Sequence, residues 1–522
     1  MIMKLRMGLV LLLFSQLVLA QNLTRTDVLK VKIRSTGVIE QRGEVKGYFY
    51  FYSLEKKKNY MSNYLLSVVD ENLQEINSVN IVRPDSYDLI ESSYNGEAFV
   101  FMFFDPRSKV IELIAYDNAL KQIGSKLEQV QGKKSLAVFQ AIALGGAAEQ
   151  RYLVPVNKIG FVYYSQSNAD KENYTINYLS NSLTVNWKDQ SLIKKRTPRE
   201  TATEGFLSTD YIGSLIFKPT SSKAKSFTYD LLVNDLATGK NVFQTNLSTG
   251  LFNITPNDLN YDSLNKQVVV FGEYFAKDDQ QAKSQSLGFC YVAYDLSGKI
   301  LFSKTISWAD ISQQAPVSSS GKFDGLNTNV LFHEFVRTAD GKIFAIGEQY
   351  KKVLSGAGVG LQILSVAAAA ATGYYSSNAS SVQMNVYNMV VFQFSSDYKL
   401  EKVHIFEKNK NQILLPAGAT YMSTKLLSYY VKATGGFDYS YTQKLPDDAF
   451  TFVYLDSDRK TYKGILGAVV YTPEKTFTVD KVMMTKKSGE YAIVRAKSGY
   501  FLIMEYFKKE KKLEMRLEKF NY

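Results

Sequence analysis

Apolar side chains along most of this chain come in short unbroken runs separated by turn formers, with little helical periodicity. Gly47-Tyr48-Phe49-Tyr50-Phe51-Tyr52, Phe99-Val100-Phe101-Met102-Phe103-Phe104, Val268-Val269-Val270-Phe271 and Ile343-Phe344-Ala345-Ile346 are examples. Runs rich in β-branched and aromatic residues predict strands, and the lack of polar alternation predicts strands buried on both faces. The expected fold class is therefore all-β.

A strand ending, an Asp-containing turn and a new strand recur along the chain. Clear copies are Val68-Val69-Asp70-Glu71-Asn72-Leu73, Ala115-Tyr116-Asp117-Asn118-Ala119-Leu120, Asp235-Leu-Ala-Thr238-Gly239-Lys240 and Asp295-Leu-Ser-Gly298-Lys299, with looser ones at 179–183, 395–399 and 471–475. Asp accepts hydrogen bonds from amides two residues on, and Gly239 or Gly298 supplies the positive φ that closes a tight hairpin. The seven markers lie about 67 residues apart, room for four short strands each, which is one propeller blade. The expectation is a single β-propeller over 21–522 with about seven four-stranded blades, six and eight lying within the same reading. Strands at Tyr491–Arg495, Tyr500–Phe507 and Leu513–Phe520 would close the ring with one near Val28–Ile33.

The turns beginning at Asp235 and Asp295 resemble the repeat of quinoprotein-like propellers. That likeness implies an aromatic residue after each hairpin docking on the neighbouring sheet, here Phe243 and Phe302. It implies no cofactor, since one cysteine, Cys290, excludes the adjacent-cysteine hallmark of those dehydrogenases. More broadly the chain resembles uncharacterised secreted bacterial propeller-like proteins, a family of unknown function.

Two segments break the pattern. Residues 351–382 include the Gly/Ala-rich, uncharged stretch 353–373, and 133–149 contains apolar residues at helical spacing. Both are expected to be helical insertions, the Gly/Ala-rich one packed on the disc or forming a mobile lid, and insertions gather on binding faces. Membrane contact through 353–373 is disfavoured by its Gly, Ser and Gln content.

The first twenty residues pair Lys4 and Arg6 with an apolar run and then Leu17-Val18-Leu19-Ala20, the pattern of a signal peptide cleaved between Ala20 and Gln21. A periplasmic, cell-surface or extracellular location is the expectation. The 522 residues carry 62 basic and 50 acidic side chains, a mild +12, and the basic runs are interrupted, so no nucleic-acid partner is expected. Two histidines, His333 and His404, are too few for multi-histidine zinc sites. Cys290, within an apolar strand, reads as an inert packed thiol.

Candidate chemistry is sparse. Glu273 and Glu348 each follow a glycine at matching places in consecutive units, and form a candidate carboxylate pair for acid–base work or cation binding; solvated strand ends are the simpler account. Asp258, Asn260 and Asp262 have the alternate spacing of the first ligands of a calcium loop, but Ser263 and Val269 stand where its Gly and Glu belong. They form a weak candidate metal site, with calcium as the only cofactor considered. The preferred reading is a non-catalytic binding or scaffold module for a protein or glycan partner in the cell envelope, a protein being favoured because only Trp187 and Trp308 are available as the strongest sugar-stacking platforms. The alternative is a propeller hydrolase or lyase using carboxylates and tyrosines, with or without a divalent cation. An outer-membrane barrel is disfavoured because the strands lack apolar-out, polar-in alternation.

Overall fold

The computed structural model describes residues 22–520 except 42–43, 133–134, 137–138, 141–150, 166–171, 194–198, 221–225, 282, 356–378, 417–418, 459–462 and 485–489. The proposed signal segment and most of both proposed insertions lie outside these residues. Eight antiparallel sheets follow one another along the chain. Blades 1 to 7 cover residues 30–84, 88–129, 153–192, 201–246, 252–307, 329–416 and 439–483. In each, the strands lie side by side in chain order. In most neighbouring blades the first strands pack against one another and so line the axis.

Blade 8 is assembled from both ends of the chain. Glu490–Arg495, Tyr500–Phe507 and Lys512–Lys519 supply three strands, and Asn22–Arg25 pairs antiparallel with the last of them as the outermost strand. Ring closure by the N-terminal segment is thus as expected, but the closing strand is Asn22–Arg25, and Val28–Ile33 leads into blade 1. The count is eight blades, not seven, for a physical reason. Each of the seven marked turns joins the third and fourth strands of a blade. Blade 8 takes its fourth strand from the other end of the chain, so it has no such turn to be counted.

The turns themselves are built as the residues suggested. Asp70 accepts from the amides of Asn72 and Gln74 at 2.8 Å each, and Asp295 from those of Ser297 and Lys299 at 2.8 and 3.0 Å. At 180 and 395 serine hydroxyls replace the carboxylate, accepting from Thr184 and Lys399. The same turn position is left-handed in all seven, from Leu120 at φ 58° to Gly298 at φ 79°.

These turns also clasp the ring. Trp187, on the outer strand of blade 3, donates its indole N–H to the Leu236 carbonyl of blade 4 at 2.8 Å, and a Cβ on Gly239 would stand 2.5 Å from its ring. Phe243 of blade 4 covers Gly298 of blade 5 in the same way, and Phe302 of blade 5 lies 5.9 Å from Tyr398 in the turn of blade 6. Phe243 and Phe302 therefore dock as the quinoprotein likeness implied. Trp187 is the docking tryptophan of its own blade, and Trp308 is buried against Phe289, so neither is a sugar platform.

Blade 6 departs from the others. Its second and third strands, Ile343–Leu354 and Ala379–Phe394, run past the blade and pair with each other out to Leu354 and Val382, so both ends of the proposed 351–382 insertion are strand. A fifth strand, Asn411–Pro416, adds to this extension. An unanticipated ten-residue helix, α2 (Thr424–Ala433), follows; α1 is the single turn Trp308–Ser312. Ser423 caps α2 by accepting from Leu426 N–H, while Leu427 and Val431, one turn apart, bury against Met384, Val386 and Leu415. In the 133–149 segment the described residues are helical, and Phe139 is wedged between Phe104 and Tyr152.

Candidate functional site

Helix α2 places its Lys425, Ser428, Tyr429 and Lys432 on one face, at the i, i+3, i+4 and i+7 spacing of a helical stripe. Lys432 donates to the Phe332 carbonyl on the innermost strand of blade 6, and Lys425 reaches blade 5, where its Nζ lies 3.3 Å from Glu273 and 4.0 Å from the centre of the Phe275 ring. The helix therefore bridges two blades at the rim where their first strands begin. Under its N-terminal end lies a cavity of about 550 Å³. Glu273, Lys283, Lys322, Tyr350, Lys425 and Tyr429 line it, with the side chains of Ser284, Ser286, Ser320 and Asn329 between them.

Local structure explains each position. Glu273 sits on the second strand of blade 5, Gln267–Ala276, where a bulge between Pro256 and Asp258 lets the Asn257 side-chain Oδ1 accept from the Glu273 N–H at 3.0 Å. Tyr350 lies on the long second strand of blade 6. Burial pulls the Lys425 ammonium below its ordinary range, and the attraction of Glu273 offsets part of that. Burial raises the Tyr350 phenol, with Ser428 pulling the other way. Lys283 and Lys322 have no ion-pair partner among the described residues. The cavity thus carries three cations, one carboxylate and a rim of hydroxyls.

The two carboxylates paired by sequence position belong to separate networks. Glu273 answers Lys425, whereas Glu348 is fully buried at the joint between blades 6 and 7. There it accepts from the N–H groups of Asp438 and Tyr439, each at 3.1 Å, and lies 3.1 Å from Lys408 Nζ and 3.3 Å from His333 Nε2. Lys408 also pairs with Asp438, and His333 stacks on Tyr439 with ring centres 4.8 Å apart. Burial opposes the Glu348 charge, but His333 and Lys408 outweigh it and hold the carboxyl below its usual range. Burial, with Glu348 beside it, pushes Asp438 up to about 6 against the pull of Lys408.

Asp258, Asn260 and Asp262 lie along the first strand of blade 5. Asp258 pairs with Arg337 at 3.2 Å, and Asp262 closes the hairpin by accepting from Leu264, Asn265 and Gln267. Among the described residues no three His, Cys, Asp or Glu side chains stand close enough to hold a metal ion. Cys290 is buried in the core, and burial raises its thiol.

A further repeat is visible only in the fold. The innermost strands of blades 2, 4, 5 and 6 each carry a bulge flanked by an acid: Glu91, Glu204, Asp258 and Glu334. Bulges re-aim side chains and often mark sites. Sequence reasoning singled out Asp258 only as part of a calcium-loop spacing and passed over Glu91, Glu204 and Glu334 as site residues, since a bulge leaves no mark in composition. It also missed Lys425, although Ser423 followed by apolar residues at 427 and 431 is a legible helix start.

No curated protein matches the chain. Among solved structures it is similar to a prolyl endopeptidase at 9% identity and TM-score 0.40, covering 92% of this chain and 55% of that one, so it spans about half that enzyme's length. It is similar to the β-propeller domain of the Trilobed protease from Pyrococcus furiosus, at 11% identity and TM-score 0.32, covering 73% of this chain and 95% of that one. The quinohemoprotein alcohol dehydrogenase ADHIIG from Pseudomonas putida HK5 is similar at 10% identity and TM-score 0.35, covering 78% and 63%. These likenesses concern the fold alone. The whole-chain match is to a sequence family: the chain belongs to a family of unknown function, DUF6770, whose model matches residues 1–521.

Proposed function

We propose that this propeller is an exported recognition module whose ligand, a glycan or a segment of a protein partner, enters the cavity between blades 5 and 6 under helix α2. The observation that carries the reading is the cavity itself: about 550 Å³, within the size range of ligand sites, and lined by polar groups held on strands and a capped helix. Rigid scaffolds that present such groups suit binding. The candidate carboxylates support binding over catalysis, because Glu273 and Glu348 serve different ion pairs and Asp258 answers Arg337.

A ligand that binds only the folded state raises the melting temperature by mass action, about 2.7 kcal/mol of stabilisation at one hundred times Kd. A thermal-shift screen of glycans and envelope extracts should therefore give a hit whose shift is lost in Lys425→Met. A hit unaffected by Lys425→Met, Lys322→Met and Tyr429→Ala would place the ligand elsewhere and refute the site. Export is tested separately, by N-terminal sequencing of the protein from cell fractions: a mature chain beginning at Gln21 is expected, and an intact Met1 in the cytosol would refute it.

A further inference from the structure

Resting on that reading, we propose that the cavity under α2 selects an acidic saccharide, a sugar chain bearing carboxylate or sulfate groups. Charge is the first ground. Lys283, Lys322 and Lys425 stand around one carboxylate, Glu273, and two of the three have no anionic partner among the described residues. Unpaired cations converging on a concave surface favour an anion brought by the ligand.

The third cation is set in place before any ligand arrives. Lys425 is held from one side by Glu273 at 3.3 Å and from the other by the face of Phe275 at 4.0 Å. Its ammonium therefore has one defined position, and an incoming anion does not have to order a flexible side chain. Lys425 also lies in the first turn of α2, next to Thr424, and both residues line the cavity. Ser423 caps the N–H of Leu426, which leaves the amides of Thr424 and Lys425 without a hydrogen-bond partner among the described residues. The positive end of the helix adds to the charge of the lysines.

Hydroxyl chemistry is the second ground. Ser284, Ser286, Ser320 and Asn329 line the cavity with the lysines, and the part-exposed Tyr429 offers ring surface. That combination of dispersed donors and acceptors with an aromatic face suits a polyhydroxylated ring better than a compact inorganic anion. Glu273 then has two parts: it holds Lys425, and it opposes the ligand's own negative charge.

Titration calorimetry on the full chain tests this with four probes: a uronic-acid oligosaccharide, a sulfated oligosaccharide, their neutral counterpart and sodium sulfate. One of the two acidic sugars should bind at least about tenfold more tightly than the neutral one and than sulfate alone, and which of them does so identifies the anionic group. Lys322→Met should weaken that binding roughly fivefold or more, because one of the cations facing the ligand is gone. Lys322 lies at the edge of the cavity with its side chain part-exposed, so its variant keeps the test valid if a change at Lys425 impairs folding. Equal binding of neutral and acidic sugars, unchanged in Lys322→Met, would overturn acidic selectivity while leaving the recognition module standing. Binding of sulfate as tightly as of either sugar would reduce the site to an anion site and overturn the saccharide assignment. Failure of every probe, together with a protein partner from the thermal-shift screen that needs Lys425, would overturn this inference but not the recognition reading.

Discussion

Two joints of the ring use the same device with opposite electrostatic results. Between blades 2 and 3, Glu91 accepts from the N–H groups of Tyr152 and Leu153 at 2.8 and 3.1 Å; between blades 6 and 7, Glu348 accepts in the same way from Asp438 and Tyr439. In both, a carboxylate from one blade holds the leading backbone of the next. Burial pushes Glu91 up to about 7, because its nearest cation, Arg151, stands 3.9 Å away and half in solvent. Glu348 is held down, because buried Lys408 and His333 face it. Two amide donors alone do not keep a buried carboxylate charged near neutrality; a cation sealed in beside it does.

The sharpest way to break the comparison is Glu348→Ala. It leaves Lys408 buried without that partner, and breaking a buried pair costs about 3–5 kcal/mol, to be read from urea unfolding midpoints. Lys408→Met asks whether the cation is what separates the two joints. A loss of about 2–4 kcal/mol is expected above pH 7, shrinking as Glu348 protonates in acid, and a loss independent of pH would contradict the comparison.

A joint without charge gives the next test. Gly239 has φ 70° and no room for a Cβ beneath Trp187, so Gly239→Ala should cost about 2–3 kcal/mol at every pH. Any pH dependence there would show that the aromatic clasp is coupled to the charged joints.

Glu91→Gln should act in the opposite direction and be the smallest effect. The folded pKa of Glu91, about 7, lies above its ordinary 4.5, so its contribution is fully present below pH 4.5 and is lost as pH rises through 7. The glutamine keeps an acceptor for the Tyr152 and Leu153 amides without the buried charge. The variant should therefore match the wild-type chain below pH 4.5 and exceed it by about 1–3 kcal/mol at pH 8. Equal stabilities at pH 8 would mean that Arg151 neutralises Glu91 after all.

The contrast between joints also explains which parts of the molecule were legible in advance. The turn that receives the aromatic clasp writes itself into local sequence: Asp235 and Gly239 lie within five residues, and the turn they form follows from short-range hydrogen bonds and one left-handed φ. The charged joint has no local signature. His333, Glu348, Lys408 and Asp438 are spread over more than a hundred positions and meet only because consecutive blades pack side by side. Glu273 and Glu348, alike by position in the repeat, stand in separate ion pairs for the same reason. Equivalent places in two blades face different neighbours, a helix in one case and the next blade in the other.

By itself the sequence determined the all-β class and the strand-turn repeat, because each is fixed by contacts between residues close in the chain or by the burial pattern of a single strand; the docking of outer-strand aromatics on neighbouring turns was implied by the quinoprotein likeness and joins residues of different blades. Only the tertiary structure decided that there are eight blades, because the eighth borrows its outer strand from residues 22–25 and has no marked turn. It alone decided the cavity too: Glu273, Lys322, Tyr350 and Lys425 come from different parts of the chain, and ring closure together with the docking of α2 sets the distances between them.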